Sequence, residues 1–404
     1  MNIAIIGGGA AGFFAALSTK EHHPEAQVVV FEKSTNLLTK VKVSGGGRCN
    51  VTNGCTATGE LAAAYPRGGG RLRKAFRVFG TTDTLKWFEA RGVALYTQED
   101  GRVFPVSNTS QTIIDCFLSE ADRLGIAIER EAGIRSVLPI GEHLRLDFVS
   151  EERAPRTFDR VIVATGGSAK RTGLDWLEKL GHRIEDPVPS LFTFNMPTES
   201  IVALMGISVK GALVSIQGTK LKAEGPLLIT HWGMSGPAIL KLSAFGARVL
   251  HEIGYDFKLQ VNWVNEANNE RVMDHLNRFV RENTGKLIGY VRPYELPERL
   301  WRFLLEKSDL PAEKKWGGLG KKGMNKLVST LTRDEYSVEG KTTFKEEFVT
   351  CGGVSLDSID LDTMQSRVCK NLYFAGELLD VDGITGGYNF QAAWTTGFIA
   401  GQLK

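Results

Sequence analysis

The sequence predicts an α/β fold with a Rossmann-like domain split by an inserted β-barrel-like domain and a small helical subdomain. Three observations predict it. Residues 1–32 read as strand, glycine turn, helix and strand, and end on an acid. Two more apolar runs, 160–167 and 371–377, also finish in glycines and supply further parallel-strand candidates from distant parts of the chain. Between them the hydrophobic period changes from two toward 3.6 near residue 265. The expected division is 1–187 with 349–404 for the discontinuous nucleotide-binding domain. Residues 188–264, joined by strands near 336–348, form the β-rich insertion, and 265–335 the helices.

The first strand runs to Ile6 and meets the turn Gly7, Gly8, Gly9, Ala10, Ala11, Gly12, with a helix expected over residues 10–20. The first glycine permits the tight turn, the second lets the backbone approach a pyrophosphate, and the third lets helix pack closely on strand. The pyrophosphate then meets free N–H groups at the helix N-terminus, where the dipole favours negative charge. The next strand, 27–32, ends at Glu32, placed to accept hydrogen bonds from ribose hydroxyls and to repel a 2′-phosphate. NADP is therefore disfavoured in this first site.

FAD and NAD share that fingerprint, and the C-terminal segment separates them. In flavoproteins of the glutathione-reductase type a late strand ends in Gly followed by an acid that bonds the ribityl chain. Gly376 and Glu377 are similar to that pair, with Glu where Asp is commoner. The following loop leads through Gly386 and Gly387 to a helix expected over 388–403, so amides near Gly387, Tyr388 and Asn389 can stabilise negative charge at the flavin pyrimidine edge. The cofactor expectation is one FAD. Its contacts are expected at Gly7, Gly9, Ala10, Ala11, Gly12, Glu32, Lys33, Ile134, Ala164, Thr165, Gly166 and Gly167, as well as the C-terminal residues above.

Composition narrows the partners. The 49 Lys+Arg nearly balance the 46 Asp+Glu, for a net charge of +3, so charge alone names neither nucleic acid nor an acidic membrane. No run of about 18 apolar residues is present, and strand-like residues follow Met1 at once, so a cytoplasmic protein without membrane contact is expected. Five cysteines without metal-type spacing fit reduced thiols, and no metal is expected. The expected partner is a small-molecule substrate, with no nucleic acid, and the sequence leaves the oligomeric state open.

Several runs carry a more specific resemblance. These are Lys40 with Ser44, Gly45, Gly46, Gly47, Arg48, Cys49 and Asn50, the 101–105 run Gly-Arg-Val-Phe-Pro, the 230–237 run Thr-His-Trp-Gly-Met-Ser-Gly-Pro, and 386–391. Over nearly its full length the chain resembles the BaiN-like flavoproteins, described as NAD(P)/FAD-dependent or aminoacetone-oxidase-like. The chain departs from many members at Ile384 and Thr385, where they carry a cysteine before the paired glycines. The resemblance implies an FAD domain built from both chain ends, with residues 44–50 wrapping the flavin side. It also implies an FAD-dependent oxidoreductase that moves a hydride between flavin and a small or hydrophobic substrate. NAD(P)H-dependent reduction of an activated C=C bond leads, and an oxygen-dependent aminoketone oxidase is the alternative. A flavin-dependent RNA-modifying protein ranks third, because the basic residues form no aromatic-interleaved patch along the sequence.

The catalytic candidates are His231 and Tyr388. For His231 the roles of general acid or base and of loop orientation stand level. Tyr388 can donate a proton or pack against the ring, and packing is the preferred reading. Cys49 and Cys55 are separated by five residues, not the four of disulfide reductases, and are read as structural or flavin-contacting. Arg67, Arg71, Arg73, Lys74 and Arg77 are read as a solvated face, or as a contact for an anionic substrate or a nicotinamide phosphate. No second glycine fingerprint follows Gly167, so NAD(P)H is expected to act as a transient donor, if the substrate does not itself supply the electrons.

Overall fold

The computed structural model describes residues 1–342 and 349–404, and the barrel-edge segment expected near 336–348 lies outside them from residue 343. The chain forms two compact units, Met1–Ser190 with Phe344–Lys404, and Leu191–Thr343.

The first unit is built on β1 (Asn2–Ile6), α1 (Ala10–His22) and β2 (Gln27–Phe31). Strands Leu372–Phe374, Arg160–Val163, β1, β2 and Ala127–Glu129 lie side by side, all parallel. Val and Ile fill these strands because both faces of a parallel sheet are covered, and Ile3, Ile5, Val30 and Ile162 are fully buried. The three apolar runs read from the sequence therefore share one sheet. The two chain ends meet where α1 packs on the C-terminal helix Tyr388–Gly401. Gly397 makes that approach possible, since a Cβ there would stand 2.8 Å from the Ala11 carbonyl oxygen.

The second unit holds a seven-stranded antiparallel sheet. Its two edge strands, Asp334–Glu339 and Lys341–Thr342, are joined by Gly340 alone, and Asn195 N–H donates to the Gly340 carbonyl at 3.1 Å. The sheet thereby curls on itself as a barrel-like layer. Helix Pro237–Glu252 covers it, in a stretch where the sequence reading expected β structure. Its start signal was present: Pro237 at the first helical turn, followed by buried Ile239, Leu242 and Leu250 at helical spacing. The later helices Asn269–Glu282, Glu298–Lys307 and Gly320–Thr332 do not form a core of their own. Leu276, Trp301 and Leu327 belong to one apolar cluster with Val214 and Val261 of the sheet.

Candidate functional site

The candidate site lies within the first unit, at the C-terminal ends of its parallel strands, where open α/β sheets place ligands. Gly8 N–H donates to Glu32 Oε2 at 2.8 Å, while Ser34 donates to Oε1 through both N–H and Oγ–H at 2.9 Å. A carboxylate has about four acceptor positions, so Glu32 retains capacity for a ribose hydroxyl. Nothing lies within 4 Å of where a Cβ of Gly9 would stand, which leaves open space over the start of α1. Lys33 and Ile134 flank this end: Glu32 O accepts from Ala132 N–H at 2.8 Å, and the Lys33 side chain lies against Gly133.

The neighbouring strand brings Ala164, Thr165, Gly166 and Gly167 alongside. Ala164 N–H donates to Ile6 O at 2.8 Å, so the second apolar run ends level with the glycine turn. Gly167 faces the last strand, and a Cβ there would meet Thr350 Oγ1 at 2.5 Å and Glu377 Oε1 at 2.8 Å. Glu377 accepts from Thr350 N–H at 2.9 Å and from Lys40 Nζ at 2.6 Å. Lys40 and Glu377, 337 residues apart, are thus one ion pair in the structure.

The run 44–50 forms a tight left-handed turn: Gly45, Gly46, Gly47 and the non-glycine Cys49 all have positive φ. Cys49 N–H closes it onto Ser44 O at 3.0 Å. Arg48 stacks over Phe104 at 4.2 Å, and Asn50 Oδ1 accepts from Val103 N–H at 3.2 Å. The two sequence runs that carried the resemblance, 44–50 and 101–105, are therefore packed together.

At the C-terminal end, Gly386 and Gly387 lead into the helix starting at Tyr388. Gly387 has φ +92°, and a Cβ there would stand 2.3 Å from Thr52 O. Asn389 braces the loop by exchanging two hydrogen bonds with Gly383, 2.8 Å from Gly383 N–H to Oδ1 and 3.0 Å from Nδ2 to Gly383 O. Asn53 Nδ2 donates to Gly386 O at 3.1 Å.

Of the catalytic candidates, Tyr388 stands in this loop, half-buried. Burial, then Cys55 and Glu60, hold its hydroxyl above the usual phenol range. Its carbonyl accepts from the Tyr65 hydroxyl at 2.6 Å. His231 lies in the second unit, exposed in the turn between Lys222–Thr230 and Gly233–Ser235. Its ring sits edge-on to Trp232 at 4.5 Å, and it makes no hydrogen bond among the described residues. The described cysteines form no disulfide, and burial pushes the Cys49 thiol up to about 12.

Arg67 departs from the solvated-face reading. It is half-buried against the fully buried Asp382, which also accepts from Ser190 Oγ at 2.7 Å. Arg71 and Lys74 do stay outside, in exposed pairs with Asp357 and Asp362.

Sequence reasoning gave no role to Gln391, Thr52 or Thr84. The Gln391 side-chain oxygen accepts from Thr52 at 2.6 Å and from Thr84 at 2.9 Å, and its amide donates to Thr395 at 3.1 Å, all buried. This network pins the first turn of the C-terminal helix. The sequence signals were its place in the 386–391 run and a glutamine inside an apolar helix.

The residues present fit a flavin dinucleotide. The open turn, the acid with spare acceptor capacity and the glycine loop at a helix start are the groups that such a ligand needs. Thr350 Oγ1, buried beside Glu377, has no partner among the described residues and is a polar atom that a ligand would satisfy.

The model of the HI0933-like protein Rossmann domain matches residues 1–403. The chain belongs to this family. As a member, it is an FAD-dependent oxidoreductase with a Rossmann-type fold. Among family relatives, the 3-dehydro-bile acid delta(4,6)-reductase of Clostridium scindens is 28% identical, the match covering 99% of this chain and 98% of that one. A ribosomal RNA dihydrouridine synthase of Escherichia coli is also 28% identical, over 98% of this chain and 96% of its own. In fold the chain is similar to a 3-ketosteroid-delta4-(5alpha)-dehydrogenase from Rhodococcus jostii, with TM-score 0.51 and 13% identity, covering 99% of this chain and 96% of that one. No helix among the described residues is long and apolar enough to cross a membrane.

Proposed function

We propose that this protein reduces a C=C bond conjugated to a carbonyl, using electrons from NAD(P)H passed through FAD. The observation that carries the reading is that two full-length relatives, named for different substrates, share one reaction type. A 3-oxo bile acid with unsaturation at positions 4 and 6 is an extended enone. Uridine carries its reducible C5=C6 bond next to the C4 carbonyl. Either substrate takes a hydride at the β-carbon and a proton at the α-carbon.

FAD, when bound, supplies a ring that accepts and donates a hydride. This chain's residues do the rest. Glu32 and the amides opening α1 would hold the adenosine and pyrophosphate, and the Lys40–Glu377 pair would fix the ribityl region. The amides at Gly387, Tyr388 and Asn389, held by the Gln391 network and by Asn389 itself, would favour negative charge at the ring edge. Tyr388, whose phenol is protonated at neutral pH and is held further in that form by burial, is the residue to which we assign protonation of the substrate.

Uridine within RNA is the second reading, favoured by the dihydrouridine synthases among the relatives. A single assay separates the outcomes. The purified protein with NADPH or NADH is given a steroid enone or deproteinised ribosomal RNA, and products are weighed by mass spectrometry. A gain of two hydrogens in either substrate supports the proposal; no reduction of either, with amine-dependent oxygen consumption instead, removes it.

A further inference from the structure

The net charge of +3 hides an uneven distribution. Residues 191–343 hold 21 Lys and Arg against 16 Asp and Glu, a surplus of five, while the rest of the chain carries a deficit of two. Within the second unit the surplus concentrates further. Segments 283–290 and 312–322 contain five lysines and one acid, Glu313.

These segments are far apart in sequence but paired in the fold. Ile288 N–H donates to Lys314 O at 2.8 Å, Gly289 N–H to Ala312 O at 2.9 Å, and Trp316 N–H to Lys286 O at 3.0 Å. Two buried tryptophans clamp the pairing, Trp301 donating to Ile288 O at 2.7 Å and Trp316 to Val291 O at 3.0 Å. Lys286, Lys315, Lys321 and Lys322 are exposed there and have no ion-pair partner among the described residues, unlike Lys326, which pairs with Asp309. Next to this pairing Tyr290 is 64% exposed, with the Arg302 guanidinium, itself paired with Glu298, 5.1 Å from its ring centroid. Exposed lysines near an exposed aromatic, on segments joined by backbone hydrogen bonds, suit phosphates and an unstacked base.

We propose that this end of the second unit, centred on Lys286, Lys315, Lys321, Lys322 and Tyr290, docks single-stranded RNA. The lysines neutralise backbone phosphates and Tyr290 stacks a base. The proposal rests on the uridine-in-RNA reading above, where a target base carried on a long polyanion needs anchoring outside the reacting site. An anionic bilayer fits less well, because a lone aromatic on a backbone-bonded turn supplies little apolar surface to insert.

The test uses the flavin-loaded full-length protein and a labelled oligouridine of about 20 nucleotides. Wild type should bind with affinity that falls as salt rises. Lys321→Glu/Lys322→Glu should weaken binding about tenfold or more and lower the salt slope by roughly 1.4, with melting temperature and flavin content unchanged. Tyr290→Ala should weaken binding about fivefold or more without changing the salt slope. All variants should reduce a small enone at the wild-type rate. Equal RNA binding by wild type and the double variant overturns the proposal, as does stronger binding to phosphatidylserine vesicles than to RNA. Wild type that reduces a small enone but ignores RNA sinks this surface and leaves the hydride-transfer reading standing. RNA binding lost in the variants, with no conjugated C=C reduced by wild type, does the reverse.

Discussion

At the scale of single residues, the proposed function gives Glu32 and Tyr388 two chemically distinct tasks. Glu32 is tied to Gly8 and Ser34 but keeps acceptor capacity, so its charge is pre-oriented for ribose hydroxyls. Glu32→Gln should raise the FAD dissociation constant about tenfold or more, the worth of one charge-assisted hydrogen bond. Flavin fluorescence on dilution measures this, and unchanged retention would place the ribose elsewhere. For Tyr388, the folded-state hydroxyl titrates above the ordinary 10.0, so the proton-bearing form is present below that raised value and lost only above it. Substrate reduction should therefore be flat from neutral pH to about 10, with respect to this group. Tyr388→Phe should lower kcat about 100-fold with little change in KM. An unchanged kcat would return the ring to a packing role. Asp382 is assigned no chemistry: removing its charge takes from the mostly buried Arg67 the carboxylate that two of its guanidinium nitrogens bond. Asp382→Asn should destabilise the first unit by about 3–5 kcal/mol in urea unfolding, whereas an exposed pair such as Arg71–Asp357 should cost under about 1 kcal/mol when cut.

At the scale of elements, the glycine loop entering the C-terminal helix is the most constrained piece of the site. Gly387→Ala would force a Cβ toward Thr52 O from a left-handed conformation. Conformation alone costs about 1–2 kcal/mol, and the contact adds to it. We expect a lower melting temperature together with a reduced flavin-to-protein ratio; a variant that keeps full flavin occupancy would show that the loop tolerates displacement. Elements were legible in the sequence where one signal dominated. The parallel strands announced themselves by Val and Ile runs ending in glycines, because both faces of each strand are buried. Helix Pro237–Glu252 was hidden because its start falls inside a glycine-rich run read for its family resemblance. Arg67 looked like its basic neighbours, and only the fold shows that Asp382, 315 residues later, meets it in the interior. The bridge between Leu287 and Lys315, which brings the lysines of two segments together, is equally invisible along the chain, since a single non-local backbone pairing leaves no local period.

At the scale of the whole molecule, the candidate cofactor residues of the first unit run from 7 to 389, and the Lys40–Glu377 pair joins segments from the two ends of the chain. In the proposed reading the glycine turn would hold a dinucleotide, as it does in many enzymes, and the C-terminal loop and helix would receive the flavin. The substrate rests on the reaction type shared by relatives. Anaerobic stopped-flow tests it most directly: the oxidised yellow protein is mixed with NADPH or NADH, and then with a steroid enone or ribosomal RNA. Bleaching of the flavin band by the nicotinamide, followed by its return on adding the conjugated C=C compound, is the predicted result. A band that no nicotinamide bleaches, but that an amine bleaches and oxygen restores, would contradict it.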